Sequence, residues 1–128
     1  MNKLNGKELS IIGEDIAAKH LASCGYNIVC RNYRKRCGEI DIIVEKDQHL
    51  VFVEVKTRSS QSIHTAMASI SLSKQRKITD TALEYINHNQ QFCKHYFRFD
   101  AVIVFYQHYT NTFSVKHYPD AFYPVLSH

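Results

Sequence analysis

An aspartate, a glutamate and a lysine stand in two neighbouring segments of alternating hydrophobicity between Gly38 and Arg58. The alternating isoleucines and valines predict two β-strands, and the polar residues 46–49 between them predict a hairpin turn. A two-residue or a four-residue turn centred on residues 47 and 48 gives the same register, which places Asp41 directly opposite Glu54. A register shifted by one residue would turn the apolar side chains of one strand to the wrong face of the sheet.

Two directly opposed carboxylates repel each other, because their Cβ atoms are only about 4.5–5.5 Å apart. A hard divalent cation offsets that repulsion, and Mg²⁺ is typically held by one or two carboxylates together with waters and phosphate oxygens. Lys56 follows Glu54 on the same face of its strand, where it could orient or help deprotonate a metal-bound water. The alternative is a surface hairpin with solvated acidic and basic residues. The apolar neighbours Ile43 and Phe52 favour a partly buried site.

The same residues resemble a known nuclease signature. Asp41 followed by Glu54-Val55-Lys56 after a turn resembles the D…(D/E)-x-K motif of restriction-endonuclease-like nucleases. The longer strings GEIDIIV and LVFVEVKTR are similar to the YraN-like family of bacterial proteins, predicted endonucleases related to archaeal Holliday-junction resolvases. The proline that often precedes the aspartate in the superfamily is replaced here by Ile40. The resemblance implies Mg²⁺ or Mn²⁺ as cofactor and DNA as substrate, in a branched or otherwise structured form.

Further motif residues extend the resemblance over most of the chain, namely Gly13-Glu14, Gln75-Arg76 and Arg98-Phe99-Asp100. In the resolvase-like nucleases a glutamate from the first helix joins the metal site, so Glu14 is a candidate third ligand. The alternative is a glutamate favoured there by the helix dipole. Related nucleases carry Gln or Lys at the place of Gln75, which would point into the site; the alternative is an amide bonded to a backbone carbonyl or water. For Asp100, a salt bridge with Arg98 is favoured over metal ligation.

The formal net charge of +4 is modest, but half of the sixteen Lys and Arg residues lie near the motif elements in sequence. Cations clustered beside carboxylates suit a polyanion that bridges to them through a metal. The residues expected to contact DNA are Arg34, Lys35, Arg36, Arg58, Lys74, Arg76 and Lys77.

The composition excludes several other classes of protein. A chain of 128 residues fits one domain, residues 1–128, which buries about 65% of the surface that the unfolded chain exposes. The longest strongly apolar run, residues 101–106, is far short of the ~20 residues of a membrane span, and no secretory signal is recognisable, so we expect a cytoplasmic protein that uses no membrane. The four cysteines form no CxxC pair and are expected to be free thiols. The eight histidines match no zinc-ligand spacing.

The remaining chain supplies elements that could support the hairpin. Asn5 and Glu8 predict a capping box for a helix over residues 6–24 that ends before Gly25. Gly13 lies on the inward face of that helix, where the missing side chain would allow close approach to a strand. Further elements are predicted as a strand at 26–33, a basic turn at 34–37, a mobile flap at 59–70, a helix capped by Ser71 or Ser73, a central strand at 97–106, a last strand at 112–118, and irregular structure at Pro119 and Pro124.

The order αβββαββ predicts an α/β protein with a mixed five-stranded sheet flanked by helices, which fits a restriction-endonuclease-like core. The functional hypothesis is a metal-dependent DNA endonuclease that hydrolyses phosphodiester bonds. The candidate catalytic residues are Asp41, Glu54, Lys56 and Gln75, and the candidate metal ligands are Asp41, Glu54 and Glu14. One alternative is a nucleic-acid-binding module with the same fold and little or no turnover, and another is a protein-interaction domain whose carboxylates are surface charge. A homodimer is among the assemblies that the sequence allows.

Overall fold

The computed structural model describes residues 4–59 and 63–126. Its helices and strands are α1 (Gly6–Ser23), β1 (Asn27–Lys35), β2 (Gly38–Lys46), β3 (His49–Ser59), α2 (Ile63–Ala68), α3 (Leu72–His88), β4 (Tyr96–Gln107) and β5 (Thr112–Phe122). A single 3₁₀ turn at Gln90–Phe92 precedes β4. The predicted order of elements is confirmed, with one addition. The connection interpreted as a flap contains the short helix α2, and its residues 60–62 lie outside the described part of the chain.

The five strands form one sheet in the order β1-β2-β3-β4-β5. The neighbours β3 and β4 run parallel, and the other three pairs are antiparallel. The sheet is therefore mixed, as predicted, and β4 occupies an inner position with a buried middle, as expected for a central strand.

Each face of the sheet is covered by one long helix. Ala17 and Leu21 of α1 pack against valines of β2, β3 and β4. Ile78, Ala82 and Tyr85 of α3 pack against the opposite face, which includes Ile43, Leu50, Phe52 and Phe99. Strict alternation along β2 predicts that Ile40 shares a face with Ile42 and Val44, but this is wrong, because Ile40 packs in the α3 cluster while the other two pack against α1. The alternation along β2 is thus broken at Asp41.

Both ends of α1 follow the sequence signals. The Asn5 side chain accepts the amide hydrogen of Glu8 at 2.8 Å, and the Glu8 carboxylate accepts that of Asn5 at 3.2 Å. This reciprocal capping box satisfies two amide groups at the helix start. Gly25 has a φ of +92°, a conformation that favours glycine just after a helix.

Gly13 brings α1 into close contact with β3. A Cβ atom placed on Gly13 would lie 1.9 Å from Thr57 Oγ1, which no side chain tolerates. The predicted close approach of helix and strand is therefore present. Because Glu14 is the next residue, the same contact fixes where its side chain starts relative to β3.

The two edge strands extend further than the sequence pattern predicts. β1 continues to Lys35, so only Arg36 and Cys37 are left for the basic turn. β5 continues to Phe122 and includes Pro119, which was predicted to lie in irregular structure. An edge strand tolerates this proline because its outer side carries no partner strand. The register with β4 shifts there, since Phe99 pairs with Phe122 and Ala101 with Tyr118.

None of the described helices is both long and apolar enough to cross a membrane. Cys24, Cys30, Cys37 and Cys93 are all free thiols, as predicted.

Candidate active site

The β2–β3 hairpin has the register that its hydrophobic pattern predicts. Lys46 pairs with His49, so the turn is the two-residue loop Asp47-Gln48. Both turn residues have positive φ, +49° and +64°, as a type I′ hairpin turn requires. The pairing then continues in the same register to Ile42 and Val53.

The direct opposition of Asp41 and Glu54 is not observed, because the paired residues of the hairpin end at Ile42 and Val53. Beyond this point β2 continues its pairing with β1, and β3 continues with β4 as far as Ser59. The two strands separate, and the Asp41 carboxylate reaches into the gap. Its Oδ2 accepts a hydrogen bond from the Val55 amide at 2.8 Å. A side chain thus takes the place of a backbone carbonyl where the hairpin opens.

A cleft of about 330 Å³ lies at this opening. It is lined by the acidic residues Glu14, Glu39, Asp41 and Glu54, the basic residues Lys56, Arg58 and Lys74, and Gly6, Ser10, Val55 and Thr57. Four elements supply the charged groups: α1, the separated ends of β2 and β3, and the first turn of α3. The structure therefore brings together residues that lie up to sixty positions apart in the sequence, from Glu14 to Lys74.

Glu54 is the most deeply buried of these carboxylates, with 4% of the residue exposed. Its Oε1 lies 2.8 Å from Lys74 Nζ and 3.4 Å from Lys56 Nζ. Burial lowers the pKa of Lys56, whereas contact with Glu54 raises the pKa of Lys74 against the opposing effect of burial. A buried carboxylate is tolerable only when it is paired in this way.

Asp41 has an unusual affinity for a proton. Burial, followed by the negative charge of Glu54, raises the pKa of Asp41 from 3.8 to about 7, although the Val55 amide lowers it in part. Two carboxylates that share a poorly solvated cleft cannot both ionise freely. A proton or a cation therefore stabilises this arrangement near neutral pH.

Glu14 has a buried carboxylate oxygen that no described residue hydrogen-bonds. Its Oε1 is shielded from solvent and has no hydrogen-bond partner among the described residues. Burial raises the pKa of Glu14 as well. A buried carboxylate oxygen without a donor is uncommon in a native protein and suggests an absent ligand.

These donors suit a hard divalent cation, because all of them are carboxylate oxygens. In the part of the chain that the structure describes, no three His, Cys, Asp or Glu side chains already converge as a complete metal cage. Mg²⁺ does not require such a cage, since it is usually held by one or two carboxylates and keeps several waters. Asp41 and Glu54, with Glu14 in the same cleft, match this pattern of one or two carboxylate ligands.

Gln75 is not among the residues that line the cleft. Its Nε2 donates a hydrogen bond to the Ile70 carbonyl at 3.0 Å, which is the backbone partner expected of a half-buried amide. Lys74, one residue earlier, is the α3 residue that contacts Glu54. Its position follows from the helix start, because Ser71 caps α3 by accepting the Lys74 amide hydrogen at 3.1 Å. Sequence reasoning assigned Lys74 to DNA binding and had no signal for its contact with Glu54.

The predicted DNA-binding residues differ in their relation to the cleft. Arg58 and Lys74 line it, and Lys74 also lines an adjoining recess with Lys77. Arg34 lines a further cleft, which shares Glu39 with the first. Arg34 Nε forms an exposed ion pair with Glu39 Oε2 at 3.0 Å. Lys35, Arg36 and Arg76 are exposed. Lys7 and Arg31, which were not among the predicted contacts, line the same cleft as Arg34.

Asp100 belongs to a separate buried network, as predicted from its proximity to Arg98. The Arg98 guanidinium donates to both of its oxygens at 2.8 Å, and His117 Nε2 lies 2.7 Å away. The Asp120 amide supplies a further hydrogen bond at 3.1 Å. Burial would raise the pKa of Asp100, but the hydrogen bonds from His117 and Arg98 hold it below its usual value. The network joins β4 to β5 where their register shifts.

All of the candidate site residues lie in a segment of the chain that matches a known protein family. The profile of "Uncharacterised protein family UPF0102" matches residues 13–104. A UPF0102 protein of Clostridium botulinum strain Hall is 40% identical over 116 residues, which cover 91% of this chain and 94% of the relative. A UPF0102 protein of Clostridium perfringens is 37% identical over 122 residues, which cover 95% and 98%. Because the family profile and both relatives match most of its length, the chain belongs to the UPF0102 family.

Proposed function

We propose that this protein is a Mg²⁺- or Mn²⁺-dependent endonuclease that hydrolyses phosphodiester bonds in DNA. The observation that carries the proposal is the cleft in which Asp41, Glu54 and Lys56 meet at the separated ends of β2 and β3. The solvent-shielded Glu14 oxygen beside them supports a cation site.

The architecture around the cleft supports a restriction-endonuclease-like core. The mixed five-stranded sheet has one long helix on each face, and the acidic residues lie where two neighbouring strands part. This arrangement agrees with the D…(D/E)-x-K resemblance of the same hairpin, which is independent of the coordinates.

Each residue would have a definite task. Asp41 and Glu54, aided by Glu14, would hold the metal. When bound, the metal would neutralise charge on the phosphate and make a water molecule more acidic. Lys56, held near Glu54 by its ion pair, would orient the attacking water, and its lowered pKa suits exchange of a proton at Nζ. Oriented charge in a poorly solvated cleft stabilises the transition state more than the same charge does in water.

Cations around the cleft support a nucleic acid as the substrate. Arg34, Arg58, Lys74 and Lys77 lie at the cleft or in the recesses that adjoin it, so a phosphate backbone that crosses the site would meet them in turn. A branched or otherwise structured DNA is proposed on the resemblance to junction resolvases.

A second candidate is a nucleic-acid-binding module with the same fold and little or no turnover. Lys74 and Lys56 both engage Glu54 Oε1, so the cleft is partly neutralised by the protein itself. Such internal pairing would let the fold persist without a metal.

A nuclease assay separates the two candidates. The purified protein is incubated with single-stranded, duplex and four-way-junction DNA in Mg²⁺, in Mn²⁺ and in EDTA, with Asp41→Asn as the matched inactive variant. Cleavage that needs the metal and disappears in the variant supports the nuclease. Metal-dependent binding without cleavage of any form favours the binding module.

A further inference from the structure

The cation closest to Glu54 comes from α3 and not from the motif strand. Lys74 Nζ is 2.8 Å from Glu54 Oε1, and Lys56 Nζ is 3.4 Å from the same oxygen. Lys74 is therefore the principal partner of the most deeply buried carboxylate in the cleft. A metal ion that binds Glu54 through Oε1 must compete with this ammonium for that oxygen.

The two lysines differ in their freedom to move. The Lys74 side chain is 38% exposed, whereas that of Lys56 is 12% exposed. Lys74 also lines two adjoining spaces, the carboxylate cleft and a recess of about 300 Å³ that contains Ser71, Ser73 and Lys77. Its flexible stem of four carbons can carry the ammonium from one space to the other without a change in the helix.

We propose that Lys74 is an exchangeable counter-ion, which neutralises Glu54 in the metal-free protein and gives up Oε1 when Mg²⁺ or Mn²⁺ binds. This inference rests on the proposed metal site. Lys56, more enclosed and on the same strand as Glu54, stays in place during the exchange. The released Lys74 ammonium adds a cation to the recess beside Lys77, at the flank of the cleft.

The exchange and a purely stabilising role for Lys74 predict opposite effects of removing this lysine on metal affinity. Because Lys74 must be displaced, its presence weakens metal binding, and its removal strengthens it. By linkage, the metal also weakens the Lys74–Glu54 pair by the same factor.

Calorimetric titration with Mn²⁺ tests this point on the full chain. Lys74→Ala should bind Mn²⁺ about fivefold more tightly than wild type, the scale of a partly exposed ion pair. Lys94→Ala is the control, since it removes the same charge from an exposed lysine that lines neither the cleft nor the recess. Lys94→Ala should stay within about twofold of wild type, because long-range repulsion between exposed charges is screened by salt. Lys74→Arg, which can keep the pair with Glu54, should also resemble wild type.

Thermal melting distinguishes the exchange from a purely structural role, because only the exchange makes the difference in melting temperature between Lys74→Ala and wild type depend on the metal. In EDTA, Lys74→Ala should melt below wild type, because Glu54 has lost its closest partner. In saturating Mn²⁺ the two melting temperatures should converge, since the metal replaces the lysine. A structural contact that persists in both states would leave the difference unchanged.

The proposal is overturned if Lys74→Ala binds Mn²⁺ no more tightly than Lys94→Ala, or if neither wild type nor Lys74→Ala binds it. Failure of the proposed function has a different signature. A wild-type protein that binds Mn²⁺ against competition from Lys74 but cleaves no DNA leaves the exchange intact and removes the nuclease. Cleavage that continues while the Lys74 effect is absent removes the exchange alone.

Discussion

The Asp41 carboxylate accepts the Val55 amide hydrogen at 2.8 Å, just beyond Ile42 and Val53, the last paired residues of the β2–β3 hairpin. This contact ties the acidic side chain to the backbone of the strand that carries Glu54 and Lys56. It also holds Asp41 in the cleft, where burial and the Glu54 charge raise its pKa to about 7.

The metal-free protein should lose stability as the pH rises through the range in which Asp41 ionises. Its folded pKa of about 7 lies above the usual 3.8, so the folded state binds the proton more tightly than the unfolded state. The resulting penalty is absent below about pH 4, grows as pH rises, and is complete above about pH 7. The difference in pKa corresponds to at most about 4 kcal/mol of unfolding free energy.

Asp41→Asn removes this penalty. In EDTA, urea unfolding should show that the variant gains stability over wild type between about pH 5 and about pH 8. A difference between the two proteins that is the same at both pH values would show that Asp41 ionises normally in the cleft.

Mg²⁺ or Mn²⁺ should raise the melting temperature of wild type, since a ligand that binds only the folded state stabilises it. Asp41→Asn and Glu54→Gln should each abolish that rise. Their metal-free stabilities should differ in direction, because Asn relieves repulsion whereas Gln leaves Lys74 and Lys56 without their shared carboxylate. An undiminished metal response in both variants would exclude this cleft as the metal site.

Lys56→Ala should separate catalysis from binding. A group that acts mainly in the transition state contributes to turnover and little to ground-state binding. We expect cleavage to fall by roughly 10²-fold or more, while the metal-induced rise in melting temperature and most DNA affinity remain. Lys116→Ala on β5, an exposed lysine two strands from β3, is the control and should cleave as wild type does. Equal cleavage by wild type and Lys56→Ala would remove Lys56 from the mechanism.

DNA affinity should fall steeply with salt, and the basic segment of β1 and its turn should contribute to that slope. Alanine at Arg34, Lys35 and Arg36 together should weaken binding and reduce the slope by about 0.9 for each phosphate contact that is lost. The matched control replaces three exposed lysines elsewhere, Lys19, Lys94 and Lys116, and has the same net charge. If fluorescence anisotropy gives equal losses for both triple variants, binding depends on overall charge and not on this surface.

Gly13→Ala should destabilise the fold through a defined clash. Its new methyl group would overlap Thr57 Oγ1, so α1 must move away from β3. Overpacking of this kind typically costs about 1–3 kcal/mol. Adding Thr57→Ala should recover part of that loss, which a double-mutant cycle of urea unfolding measures. Additive effects of the two substitutions would show that the clash is relieved elsewhere.

The sequence by itself predicted the two long helices, the approximate positions of the five strands and the register of the β2–β3 hairpin. Local signals were sufficient because each depends on neighbouring residues: the Asn5–Glu8 capping box, the period of two in β2 and β3, and the polar turn. Gly13 was recognisable because a glycine on the buried face of a helix is costly unless a neighbour needs the space. The salt bridge of Asp100 with Arg98 followed from two residues on one strand.

Only the tertiary structure decided how the site is assembled. β2 and β3 separate at Asp41, where β2 stays paired with β1 and β3 stays paired with β4. No pattern within the hairpin sequence reveals these outer pairings. Likewise, Lys74 contacts Glu54 while Gln75 bonds to the Ile70 carbonyl, because the packing of Ile78, Ala82 and Tyr85 against the sheet sets the rotation of α3. A sequence motif identifies candidate residues, whereas burial and long-range strand pairing determine which of their charged groups meet in the folded protein.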